Sequence, residues 1–229
     1  MNVTALIVAA GKSERFGGAA PKQFRELCGR PLLTWTISRF ETASSIDRIV
    51  LVVSEEHLLF AGEKVVDPYG FSKVIKIVKG GDTRQESVRL GLESLPVSTR
   101  FVAIHDGARP VVSPRDIDRV VEAATVDRAA MLALPAGDTV KRVRDKLVIS
   151  TLDRDSLYLA QTPQVFQYDL IVSAHREFSE SDAATDDAAL VERKGFKVRV
   201  VEPESPNIKV TTPEDLVAAS AFLQEEGHE

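Results

Sequence analysis

Cysteine is nearly missing from this sequence: Cys28 is the only one in 229 residues, so no disulfide can close within the chain. A single thiol with four scattered histidines also falls short of a structural zinc site, and a reducing compartment, the cytoplasm, is the expected location. Aromatic residues are few, at 6%, and positive charge is in deficit, with 29 Lys and Arg against 34 Asp and Glu and a net charge of -5. Nucleic-acid-binding domains usually carry a basic face and exposed rings, so no nucleic-acid partner is expected, and an anionic ligand has to meet a local basic cluster. Long apolar runs are absent as well: the run 3–10 has eight members and no basic residue before it. It is too short to span a membrane and lacks the charged start of a signal peptide, so it reads as a buried first strand, and no membrane partner is expected. No internal repeat, low-complexity stretch or long linker interrupts the chain.

What the chain does hold, 44% hydrophobic and 28% charged residues, suits one globular α/β domain over 1–229. Short β-branched runs at 3–9, 48–53, 74–78, 101–105, 130–134 and 197–201 alternate with amphipathic stretches, the pattern of βαβ units. Most lack strict alternation, which predicts strands buried on both faces. Helix starts are marked by Pro31 ahead of 32–40, by Ser113-Pro114 and by Thr212-Pro213, with a capping side chain before a proline at the first helical position. The Glu-rich tail after Phe222 reads as a frayed helix end. One segment breaks the rhythm: 138–151 holds two β-favouring runs around Arg144-Asp145-Lys146, and predicts a hairpin projecting from the sheet.

Small residues follow the first strand, in Ala9-Ala10-Gly11-Lys12-Ser13-Glu14-Arg15-Phe16-Gly17-Gly18, and then comes Pro21-Lys22-Gln23-Phe24. Such a loop lets backbone N–H groups approach phosphate oxygens, with Arg15 and Lys22 as counter-charges. It is not a Walker A loop, which needs glycine where Leu6 stands, nor a dinucleotide fingerprint, which needs glycines at Ser13 and Phe16. A merely mobile connection is the bland alternative. Asp106-Gly107-Ala108-Arg109-Pro110 closes the 101–105 strand. Asp106 suits a ribose hydroxyl or Mg²⁺, and Arg109 suits a phosphate or the orientation of Asp106; a structural Asp–Arg turn fits equally. His105 reads as a packed strand residue. Gly80-Gly81-Asp82-Thr83-Arg84-Gln85-Glu86-Ser87 opens a helix, with room for a flat base beside the glycines and a capping box between Asp82 and Gln85. Thr139, Lys141, Arg142, Arg144 and Arg154 make the hairpin basic, by default a solvated face. Lys209 lies in an otherwise apolar run, where either an anionic partner or snorkelling from an edge strand would accommodate it.

In order along the chain, AAGKSERF, PKQF, GGDTRQESV, HDGARP, DTVKRV, QTPQVF, ATDDAAL and NIKVTTPEDL closely resemble the 2-C-methyl-D-erythritol 4-phosphate cytidylyltransferases of the non-mevalonate isoprenoid pathway, nearly end to end. The resemblance implies an α/β, Rossmann-like nucleotidyltransferase sheet of mostly parallel strands with helices on both faces, a homodimer joined through an arm at 136–156, and dependence on Mg²⁺ or another divalent cation. It also implies that Ala9, Ala10, Gly11, Gly81, Asp82 and Ser87 surround cytosine, with Asp106 and Gly107 near the ribose. Arg15, Lys22 and Lys209 would be the catalytic cations, the first two on the triphosphate. Arg109, Thr185 and Lys209 would meet methylerythritol phosphate, with Thr139 and Arg154 reaching it from the partner's arm, and Asp106 is the one metal-ligand candidate. The chain departs from the family at Ser13, usually a second glycine, and at Gly107, often alanine. A ribitol 5-phosphate cytidylyltransferase and a catalytically idle nucleotide-binding subunit stay open as alternatives.

Overall fold

The run VTALIVA forms β1 (Val3–Ala9), whose side chains alternate between two apolar layers. Val3, Ala5, Ile7 and Ala9 enter one layer, and Leu6 enters the other. A computed structural model describes residues 1–11, 21–178 and 184–226. After a short hairpin of β2 (Glu26–Leu27) and β3 (Arg30–Pro31) come α1 (Leu32–Thr42), β4 (Arg48–Val53), α2 (Leu58–Phe60) running into a π-helical turn at Ala61–Val66, β5 (Val74–Lys79) and α3 (Arg84–Glu93). Then follow β6 (Phe101–Asp106), α4 (Pro114–Asp127), β7 (Ala129–Pro135), the hairpin β8 (Lys141–Arg144) and β9 (Leu147–Thr151), and β10 (Tyr158–Gln167). The chain closes with α5 (Tyr168–Glu177), α6 (Asp187–Arg193), β11 (Arg199–Val201) and α7 (Pro213–Glu226).

Seven strands make one sheet in the order β11-β7-β10-β6-β1-β4-β5. Only β10 runs antiparallel to its neighbours, β6 and β7. Ile37 and Phe40 of α1 and Ile117, Val120 and Val121 of α4 pack on one face. Val88 and Leu92 of α3, Leu170 and Ile171 of α5 and Leu190 of α6 pack on the other. Helices thus cover both faces, and β1, β4, β6 and most of β7 are buried as their unalternating sequences require. β5, at the edge, is only partly buried.

β10 is the strand the sequence hides. Pro163 lacks a ladder donor, the register is irregular between Ala160 and Gln164, and polar Gln161, Thr162 and Gln164 sit in its buried part. These features disguise a ten-residue strand that tertiary pairing with β6 and β7 holds in place. Ser113 caps α4 as expected, accepting from Asp116 N–H ahead of Pro114. At α1, however, Pro31 itself stands at the N-cap with no capping side chain. α7 runs to Glu226, and the rest of the Glu-rich tail lies outside the described residues. The predicted arm is β8–β9, paired antiparallel and turned by Asp145 and Lys146 at φ 51° and 63°, as a two-residue hairpin turn requires.

Candidate active site

The sheet's order reverses at β1. The chain passes from β1 to β4 and β5 on one side, then returns to place β6 on the other, and open α/β sheets bind ligands in the crevice that such a reversal leaves at the strands' carboxyl ends. Ala9, Ala10 and Gly11 leave β1 there, and Asp106 and Gly107 leave β6 beside them, with Val8 paired to Asp106 and Gly107 N–H donating to Val8 O at 2.8 Å. Gln23, buried in the turn Lys22–Phe24, donates its amide to Ala9 O at 2.7 Å and Gly11 O at 3.3 Å. The PKQF motif therefore ties Lys22 to the first loop through its neighbour, a role that spacing alone does not show. Arg15 and Ser13 lie outside the described residues.

Asp106 is the electrostatic centre. Its Oδ1 meets Arg84 Nε at 3.2 Å, its Oδ2 meets Lys209 Nζ at 2.6 Å, and Arg109 Nε stands 3.9 Å from Oδ2. Burial pushes the Asp106 carboxyl up, but the charges of Arg84, Lys209 and Arg109 more than reverse this and hold it well below the usual carboxylate range. Arg109 is itself buried and donates to Asn207 O at 2.6 Å. Asn207 in turn donates to Gln161 Oε1 and Thr162 O, and Val210 N–H donates to Ala108 O, so the loop carrying Lys209 is pinned on both sides of the lysine. Lys209 thus has its anionic partner, Asp106, and sits on a loop rather than an edge strand.

Beneath Asp106, His105 is fully buried against Phe40, with ring centroids 4.8 Å apart. Asp106 N–H donates to Thr162 Oγ1 at 3.0 Å, which leaves that hydroxyl's proton for His105 Nδ1 at 3.1 Å. Nε2 is then the protonated nitrogen, donating to Arg109 O at 3.2 Å. Burial lowers the imidazole to about 3. At pH 5 the His105 ring should therefore remain the neutral Nε2–H tautomer, read directly from ¹⁵N imidazole shifts; an imidazolium spectrum at that pH would refute the network.

On the far side of the first loop, a Cβ at Gly80 would stand 2.5 Å from Ala10 Cβ and 2.8 Å from Ser87 Oγ, so glycine there lets the two loops touch. Gly81 N–H donates to Ser87 Oγ at 3.1 Å, and Ser87 donates to Thr83 O at 2.8 Å. Ser87 is thus engaged in shaping the Gly81–Asp82 turn. The cap of α3 lies one residue later than the sequence suggests: Thr83 accepts from Glu86 N–H, and Glu86 Oε2 accepts from Asp82 N–H. Thr83 is the residue with extended backbone ahead of the helix, which a capping residue must have. A Cβ at Gly107 would stand 2.9 Å from Ala9 Cβ and 3.0 Å from Leu33 Cδ1, so the alanine common in the family would require those neighbours to move.

Thr185 is exposed just ahead of Asp186, the N-cap of α6. Thr139 and Arg154 are exposed on and beside the arm, where Arg154 donates to Gly137 O at 3.2 Å; among the described residues no hydrogen bond joins either to the Asp106 cluster. Two members of the site were missed by sequence reasoning. Arg84 links Asp106 to Asp187 Oδ2 at 2.8 Å, and Asp187 is fully buried. The signal was Asp186-Asp187 before a short apolar helix: one carboxylate caps it, and the other, turned inward, needs a cation. Among the described residues no group of three or more His, Cys, Asp or Glu side chains could hold a metal.

Small residues at the end of β1 and three cations gathered about one carboxylate, at the reversal point of an open α/β sheet, suit a nucleotidyltransferase. The family model described as 2-C-methyl-D-erythritol 4-phosphate cytidylyltransferase matches residues 3–225, and the chain belongs to that family. It is 44% identical over 226 residues to the 2-C-methyl-D-erythritol 4-phosphate cytidylyltransferase of Caldanaerobacter subterraneus subsp. tengcongensis, covering 98% of this chain and all of that one. The enzyme of the same name from Desulforamulus reducens is 46% identical over 225 residues, 97% of this chain and 96% of that one. Among solved structures, 4-diphosphocytidyl-2C-methyl-D-erythritol synthase from Anaerococcus prevotii superposes with a TM-score of 0.85 at 32% identity, covering 97% of this chain and 96% of that one.

Proposed function

We propose that this chain transfers the cytidylyl group of CTP to 2-C-methyl-D-erythritol 4-phosphate, giving 4-diphosphocytidyl-2-C-methyl-D-erythritol and pyrophosphate. The observation that supports it most directly is the convergence of Arg84, Arg109 and Lys209 on Asp106, beside the Ala9–Gly11 loop. An oxygen of the acceptor phosphate attacks the α-phosphorus; that P–O bond forms as the bond to the bridging α,β oxygen breaks, and the electron pair leaves with pyrophosphate. A phosphate oxygen is already ionised near neutral pH, so no general base is required. The remaining work is electrostatic: Arg15 and Lys22 hold the triphosphate, and Lys209, Arg109 and Thr185 hold the acceptor. Ala9, Ala10, Gly11, Gly81, Asp82 and Ser87 enclose the base, with Asp106 and Gly107 at the ribose. Asp106 is the candidate ligand for a Mg²⁺ shared with substrate oxygens, an ion commonly held by one or two carboxylates and phosphates; its oxygens carry Arg84 and Lys209 here, so the ion would have to displace one of them. Such an ion, held by Asp106, would neutralise charge on the triphosphate.

Pyrophosphate release from CTP and Mg²⁺, with methylerythritol phosphate and ribitol 5-phosphate as separate acceptors, tests the assignment. Release that requires the first acceptor is expected. Preference for ribitol phosphate would move the enzyme to a different pathway, and no release with either would leave an idle nucleotide-binding subunit.

The arm supports a homodimer. Val143, Leu147, Val148 and Ile149 are all more than half exposed, and each would contribute about 1 kcal/mol if buried against a second copy. Thr139 and Arg154 would then enter the partner's site. We expect Val148→Asp to convert a dimer into a monomer by light scattering and to lower turnover with it; an active monomer would remove the shared site. No described helix is long and apolar enough to cross a membrane.

A further inference from the structure

The Asp187 carboxylate is fully buried, between Arg84 Nη2 at 2.8 Å and His175 Nε2 at 3.1 Å. A buried ion pair is a poor way to gain stability, because removing both charges from water offsets most of their attraction. What a guanidinium between two carboxylates does supply is geometry: its planar fork fixes the angle between them, which an ammonium cannot do. Here the fork joins Asp106 at the end of β6 to Asp187 in the first turn of α6. The next residue, Gln85, repeats the connection, donating to Phe178 O at 3.3 Å and accepting from Ala184 N–H at 3.4 Å. The first turn of α3 therefore has two attachments. On one side it shapes the Gly81–Asp82 turn through Ser87, and on the other it holds the residues flanking Thr185.

We propose that Arg84 is a positioning residue that couples the nucleotide half of the site to the acceptor half, setting the placement of Thr185 relative to Asp106 through Asp187. This rests on the assignment of Gly81 to the nucleotide and Thr185 to the acceptor. Asp187 is fully buried behind Arg84, so its effect on turnover passes through Arg84.

Steady-state kinetics on Asp187→Asn, Arg84→Lys, their combination and Gln85→Ala, with CTP binding measured separately in the absence of acceptor, provide the test. Asp187→Asn is expected to raise the acceptor KM about tenfold, while CTP affinity stays within about twofold. The double variant should be no worse than Arg84→Lys alone, because both changes break one connection. Gln85→Ala, which removes no buried charge, should raise the acceptor KM by a smaller factor. A residue that serves only to hold the fold together would lower the thermal midpoint and leave this split untouched. Unchanged acceptor KM in both Asp187→Asn and Gln85→Ala, equal shifts for both substrates, or multiplying effects in the double variant would overturn the coupling. Wild-type turnover in the same assay separates the two readings: with it only the coupling is at stake, and without it both fall.

Discussion

Replacing Lys209 by alanine is expected to lower turnover by about a hundredfold or more, the usual effect of deleting one preorganised charge-stabilising donor. The fold should tolerate the change, because the backbone around Lys209 is held by other groups. Asn207 is anchored to Gln161 and Thr162, Val210 to Ala108, and the Asp215 carboxylate accepts from the N–H groups of Thr211 and Thr212. The lysine side chain is itself 39% exposed, so its ion pair with Asp106 is screened by water and contributes at most about 1 kcal/mol. Pyrophosphate release and calorimetry on the same preparation separate the two quantities. Near-normal turnover would remove Lys209 from the mechanism, and a collapse of the thermal midpoint would make it a structural residue instead.

Asp106→Asn should damage both function and stability, and the two losses differ in their dependence on pH. The carboxylate is 12% exposed, with Arg84 and Lys209 on its two oxygens and Arg109 alongside. Removing its charge leaves those cations facing one another, and breaking a buried pair in this way typically costs about 3–5 kcal/mol. The folded pKa of Asp106 is depressed below that of the unfolded chain. Its contribution is therefore fully present above the unfolded value of about 3.9 and is lost as pH falls through the lower folded value. His105 adds a separate slope. Neutral in the fold down to about 3, it is protonated more readily in the unfolded chain, so stability also declines as pH falls from about 6.5 towards 3. In urea titrations across this range the variant should keep the His105 slope, start from lower stability at neutral pH, and show a shallower decline below about pH 4, the part that remains coming from carboxyls such as Asp187 and Asp118 that are also held below their usual range. Wild-type stability at neutral pH with an unchanged acid limb would show that the cations do not depend on Asp106. Turnover should fall with the substitution at every pH.

Much of this arrangement could be read from the chain. The β-branched runs of β1, β4 and β6 have no polar face, so they had to be buried on both sides, which requires helices on both faces and puts their carboxyl ends, with Gly11 and Asp106, on one edge. The hairpin at 138–151 was legible because its turn needs left-handed backbone at Asp145 and Lys146 between runs that otherwise extend. The motif order was also enough to indicate the family, to which residues 3–225 belong. β10 was illegible, because a proline and three polar side chains are tolerated there only when neighbouring strands and loops bond them.

The sequence by itself determined the fold class and the presence of Asp106, Arg109 and Lys209, since periodicity and local backbone preference act over a few residues. The tertiary structure alone decided how those groups are wired. Arg84 and Asp187 stand 103 positions apart in the chain, and Lys209 and Asp106 likewise 103; no local preference connects them. Their pairing follows from burial, because carboxylates removed from water must find cations wherever packing brings them.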